Sequence, residues 1–186
     1  MSKLTPPVSV PGDHQLGWKE ASLKSPEGKC LDPQFSPIAY CFVRCRKCAA
    51  CLRVKRFRYS LQAEVECRSN ERTWLVTLTF KKIPDRAYPE IQKWLKRVRK
   101  NTDEKIKYLC TTEYGTQNGR LHYHLLVHGT EKLQRRMLEN HWHNGFTNAR
   151  LIDRQRYGRA CRYVTKYVLK DSRERVRKSK DYGIPF

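Results

Sequence analysis

Apolar residues recur along this chain with two periods, and each change of period marks an element. Ala50, Val54, Phe57, Leu61 and Val65 follow one another at steps of four and three. That spacing lays one stripe along a helix, with Arg53, Lys55, Arg56 and Arg58 off it. After Asn70 the run Trp74-Leu75-Val76-Thr77-Leu78-Thr79-Phe80 is rich in β-formers and predicts a strand. Pro89 suits the first turn of a helix whose buried face carries Ile91, Trp94, Leu95 and Val98. Lys105 to Tyr114 and Leu121 to His128 read as two strands, with Gly115 to Arg120 as the hairpin loop. A helix from about Lys132 to Trp142, a strand near Phe146 to Ile152 and a helix from about Tyr157 to Lys170 complete the pattern.

These elements predict an α+β fold. Its centre is an antiparallel sheet of about five strands, with helices packed mainly on one face. The length of 186 residues suits one domain, here taken as 30–170 with a cysteine block at 30–51. Residues 1–29, with Pro6, Pro7, Pro11, Gly12 and Gly17, read as an irregular leader. Residues 171–186 read as a loosely held basic tail.

Charge narrows the partners. Lys and Arg number 39 against 18 acids, a formal charge of +21. Dense stretches lie at Arg53 to Arg58, Lys93 to Lys100 and Arg173 to Lys180. Such a field draws polyanions and releases counterions from each phosphate it meets. Arg53, Arg56, Arg58 and Arg120 are the candidate DNA contacts. A membrane partner is not expected, because no apolar run of spanning length occurs. Met1 to Pro11 lacks the apolar core of an export signal, and cysteines without an evident pairing suit a reducing cytoplasm. No Walker pattern is present, so a helicase motor would be borrowed.

The chemistry concentrates in two places. In Arg120-Leu121-His122-Tyr123-His124 alternation puts both histidines on one face of a strand. Glu113, across the expected hairpin from His122, points to the same face and is the candidate third ligand. Two imidazoles and a carboxylate suit a divalent cation such as Mg²⁺ or Mn²⁺, with positions left for phosphate oxygen and water. Tyr163 and Tyr167 follow one helical turn apart, about 6 Å along the axis. A phenol with a pKa near 10 needs help to attack at neutral pH, and Lys166 between them is the candidate stabiliser. A half-buried strand and an aromatic core stripe are the bland readings of each motif alone. The second histidine pair, His141 and His143, precedes Asn144-Gly145 and reads as structural.

Cys45, Cys48 and Cys51 stand at steps of three, with Cys30 and Cys41 upstream. Thiolates this dense suit zinc. Unliganded reduced cysteines fit the same spacing. The spacing of Cys41, Cys45 and Cys48 also fits a radical S-adenosylmethionine enzyme with an iron–sulfur cluster, although this chain is short for that barrel. Cys67, Cys110 and Cys161 read as packing residues.

Together these motifs resemble the HUH endonucleases of rolling-circle replication, and most of all the initiators of microviruses of the gokushovirus kind. Thr77-Leu78-Thr79-Phe80 resembles the first motif of that family. Glu113-Tyr114-Gly115 with Arg120 to His124 resembles the metal motif, and Tyr163 to Tyr167 the Y-x-x-K-Y motif. The run from Cys45 to Arg53 resembles the cysteine segment that opens many members. Cys30-Leu31-Asp32-Pro33 resembles another family feature, which favours Cys30 as fourth zinc ligand and leaves Cys41 in reserve. Arg44 and Arg46 replace the usual Pro and Gly near the first paired cysteine, and Leu121 replaces the Pro before the first histidine. The resemblance implies a replication initiator in a host bacterial cytoplasm. It would nick single-stranded origin DNA, stay on the 5′ end as phosphotyrosine, later rejoin the strand, and work with a host helicase. The rival reading is a non-enzymatic, basic nucleic-acid-binding protein with a zinc knob.

Overall fold

The computed structural model describes residues 28–115, 119–169 and 176–184. The expected leader therefore lies almost wholly outside the described residues, as does the tip of the hairpin loop. A two-stranded ribbon, β1 (Gln34–Ser36) and β2 (Cys41–Val43), comes first. Then follow α1 (Ala49–Ser69), β3 (Arg72–Thr79), α2 (Ala87–Thr102), β4 (Lys107–Tyr114) and β5 (Leu121–Gly129). The chain continues through α3 (Arg135–Asn140), β6 (Thr147–Leu151), α4 (Tyr157–Thr165) and β7 (Arg177–Lys178). Strands β3 to β7 form one antiparallel sheet in the order β6-β3-β5-β4-β7.

The sheet class is as expected, but the helices are not mainly on one face. On one side α2 and α3 bury Trp94, Leu95 and Leu138 against Val76, Leu78, Tyr123 and Leu125. On the other, α1 and α4 bury Ala63, Cys67, Cys161 and Val164 against Leu109 and Leu126. The reason lies in β5, where Leu125, Leu126 and Val127 are consecutive and all fully buried. A strand apolar on both faces needs cover on both.

Three further expectations are corrected. The stripe Val54, Phe57, Leu61 and Val65 is only half-buried, and α1 packs most deeply through Ala63, Glu66 and Cys67. Small side chains there let α1 lie close to α4. Helix α3 starts later than Lys132, because the Leu133 carbonyl accepts from the Trp74 indole at 3.0 Å. The last helix ends at Thr165 and tightens into a 3₁₀ turn, Lys166–Leu169. There the Thr111 hydroxyl donates to the Val164 carbonyl at 3.1 Å, an acceptor that a continuing α-helix would offer to Val168.

The tail, expected to lie loosely, is anchored where it is described. Strand β7 pairs with β4, and Tyr182 is fully buried. Its hydroxyl meets His128 Nε2 at 2.7 Å. Buried Glu66 binds Lys107 Nζ and the Gly183 N–H, both at 2.7 Å, so the tail is tied to α1 and β4. Gly183 has a φ of 68° and lies against the backbone of Gln62, where a Cβ would collide.

Candidate active site

The register of the central strands builds the site. Glu113 pairs with His122, Thr111 with His124, and on the other side Thr77 pairs with His124. Even-numbered residues of β5 face α1 and α4, while Leu121, Tyr123, Leu125 and Val127 enter the opposite core. A slip of one residue would bury the histidines under α2.

His124 is 3% exposed. Its Nδ1 lies 3.2 Å from the Thr77 hydroxyl and its Nε2 3.1 Å from Glu113 Oε2. Burial lowers its pKa, against the opposing pull of Glu113, so the neutral imidazole a cation requires is favoured. His122 is half-buried, its ring centre 6.2 Å from that of His124. The trio thus shares one face, as predicted. Its donor chemistry fits a hard divalent cation, although its ligand atoms are not drawn as close as the cysteine thiols described below.

The tyrosines reach this face from α4 and the turn beyond it. Tyr167 is 3% exposed and stacks on His124, with centroids 4.7 Å apart and planes 6° from parallel. Tyr163 is 38% exposed and meets His124 edge-on at 5.6 Å. Lys166 Nζ lies 4.2 Å from the centre of the Tyr163 ring and 4.7 Å from that of Tyr167. Burial first, then hydrogen bonding with Tyr163 and Glu113, pushes the Tyr167 phenol well above its ordinary range. The two phenols are therefore unequal, a distinction that their spacing in sequence did not carry.

Beside Tyr163 an open groove of about 500 Å³ runs along β3 and β6, lined by Thr77, Asn148, Arg150, Arg156 and Arg159 among others. Sequence reading missed these residues and the role of Thr77. The arginines were scattered among many, and only strand pairing brings Thr77 to His124. Of the expected DNA contacts, Arg53 and Arg58 are exposed on α1 and Arg56 is half-buried there. Arg120 is exposed next to β5. The second histidine pair is structural in its surroundings: Trp142 between them is buried and donates to the Thr79 carbonyl at 3.0 Å.

The cysteines divide clearly. The thiols of Cys30, Cys45, Cys48 and Cys51 lie within 4.8 Å of one another and could hold a metal such as zinc. Cys41 is exposed and outside this group. The triad required by the iron–sulfur reading is therefore not assembled. Backbone N–H groups of Cys48 and Lys47 lower the Cys45 thiol, and those of Leu31 and Cys51 lower Cys48 from 9.0 to about 6. Such thiols are ready to ligate as thiolates. Cys67 and Cys161 lie in the core, their sulfurs 3.6 Å apart.

Fold and site together define a class: paired histidines on a middle strand of an antiparallel sheet, faced by paired tyrosines on a covering helix. Residues 73–172 match the family model for the replication-associated protein ORF2, and the chain belongs to that family. It is 35% identical over 103 residues to replication-associated protein ORF4 of Chlamydia phage 1, covering 51% of this chain and 26% of that protein. It is 27% identical over 180 residues to replication-associated protein ORF2 of Spiroplasma virus 4, covering 77% of this chain and 56% of that protein. The chain thus spans little more than half of the longer-matched relative. These matches bear out the resemblance to microvirus replication initiators. No solved structure matches it. No helix among the described residues is long and apolar enough to cross a membrane.

Proposed function

We propose that the chain is a rolling-circle replication initiator, acting in the host bacterial cytoplasm, that nicks one strand of its origin with a tyrosine. The packing of Tyr163 and Tyr167 around His124 carries this reading. His122, His124 and Glu113 would hold Mg²⁺ or Mn²⁺, which offsets charge gathering on the scissile phosphate. Thr77 orients His124 from behind, as outer partners of metal-binding histidines do.

Tyr163, the exposed phenol, makes the first attack. Its oxygen bonds to phosphorus while the bond from phosphorus to O3′ breaks. The 3′-hydroxyl leaves with a proton, and the 5′ end stays on the enzyme as phosphotyrosine. Lys166 offsets the charge of the phenolate and of the transferring group. Tyr167 then attacks the regenerated origin. The 3′-hydroxyl so freed displaces the Tyr163 ester, which joins the displaced strand and restores the phenol. The arginine-lined groove suits the single strand leading to Tyr163. Cys30, Cys45, Cys48 and Cys51 bind structural zinc, and a host helicase opens the duplex.

Covalent capture tests this reading. Labelled single-stranded origin DNA incubated with protein and Mn²⁺ should yield a denaturation-resistant adduct. If the wild-type chain binds that DNA but never forms an adduct, the non-enzymatic nucleic-acid-binding reading takes its place.

A further inference from the structure

The ribbon β1–β2 carries an aromatic surface that the nicking site does not use. Phe35 and Phe42 are register partners, with ring centres 5.6 Å apart. Tyr40 meets Phe35 at 5.8 Å. All three rings stay open, Phe35 at 52%, Phe42 at 72% and Tyr40 at 85% exposure, and Ile38 at the turn is 98% exposed. A ribbon of three-residue strands is not stable alone. This one is clasped at both ends, with Cys30 four residues before β1 and Cys45 two residues after β2 in a common thiol cluster. The other two thiols, Cys48 and Cys51, sit at the start of α1 and fasten the ribbon to the domain.

Charge identifies what the rings would meet. Between positions 28 and 60 there are eight basic residues against one acid, Asp32. Arg44 and Arg46 follow the ribbon and are exposed. An apolar protein partner would leave that charge unanswered. A nucleic acid answers it with phosphates, and its bases offer flat faces to the rings. Bases within a duplex are already stacked on each other, so the fitting ligand is an unpaired strand.

We infer that the ribbon is a second DNA-binding site, in which Phe35, Tyr40 and Phe42 stack on unpaired bases while Arg44 and Arg46 hold the adjoining phosphates. The site does not depend on the proposed nicking chemistry. It would hold the opened origin while the tyrosines act elsewhere on the strand.

The test uses the full chain in buffer without added Mg²⁺ or Mn²⁺, so that binding is read without cleavage. A short labelled single strand carrying 5-iodouracil is titrated by fluorescence anisotropy, then irradiated and the cross-linked peptides identified. Cross-links should fall within 35–42, and each ring changed to alanine should weaken binding about fivefold or more. Phe42→Trp should keep wild-type affinity, and a fully paired duplex should respond little to any of these changes. Bound metal and melting temperature are compared throughout. Should the triple alanine variant fail to fold, cross-linking and Phe42→Trp still decide. Unchanged affinity in a folded triple variant, or cross-links confined to other regions, would overturn the assignment. A shift from dimer to monomer without loss of DNA affinity would equally overturn it, in favour of contact between copies of the chain.

Discussion

His124 and Tyr167 lie ring on ring, 4.7 Å apart and 6° from parallel. One comes from the middle of β5, the other from the turn that follows α4. The stack buries Tyr167 and leaves Tyr163 outside it as the more exposed phenol. Two tyrosines that look equivalent in sequence therefore have different tasks to offer.

The first prediction follows from that inequality. Phenylalanine keeps ring and packing but removes the nucleophile. Tyr163→Phe should abolish most initial adduct formation on single-stranded origin DNA, while Tyr167→Phe should retain it and lose strand joining. The double variant should bind and form no adduct. An adduct from the double variant that survives a denaturing gel means that attack comes from another group.

The metal assignment makes a graded prediction. His124→Ala should bind origin DNA yet lose nicking that depends on Mg²⁺ or Mn²⁺. Thr77→Val removes only the partner of Nδ1, and should cost roughly 10- to 100-fold in metal affinity or activity. Cleavage by His124→Ala at the wild-type rate in excess EDTA would falsify the assignment.

The thiol cluster predicts composition. Purified protein should carry about one zinc per chain by elemental analysis. Cys48→Ser should lose that zinc and loosen the ribbon to proteolysis, whereas Cys41→Ser should do neither. A fully folded protein free of metal contradicts the zinc site and leaves the nicking reading standing.

The anchored tail predicts a response to alkali. Burial raises the Tyr182 phenol well above its ordinary value of 10.0. The unfolded chain gives up that proton first, so the stability that Tyr182 contributes is intact below about pH 10 and falls as pH rises beyond it. Tyr182→Phe should cost about 1–3 kcal/mol at neutral pH, because His128 Nε2 loses its buried partner. In denaturant titrations the variant should also lose less stability than wild type between neutral pH and about pH 11. Equal losses would show that Tyr182 does not titrate on unfolding.

Local pattern made much of this chain legible. Alternation around His122 and His124 predicted their common face, and the hairpin spacing predicted Glu113 opposite His122, because strand geometry is periodic and local. The Tyr-x-x-Lys-Tyr spacing brought both phenols to one helix for the same reason. The steps of three from Cys45 to Cys51 predicted a cluster, and the α+β class followed from the order of elements.

What needed the folded chain was each fact that depends on two distant segments. Thr77 reaches His124 only through the register of β3 on β5. Cys30 rather than Cys41 joins the thiols because the ribbon folds back on α1. Helices cover both faces because β5 is apolar on both, while the stripe on α1 exaggerated one side. The charged composition of the tail hid Tyr182, whose place in the core is decided by a cavity that α1, β4 and β5 make together. Periodicity reports what each residue's neighbours along the chain impose, whereas register, burial and inequality between like residues come from packing among elements far apart in sequence.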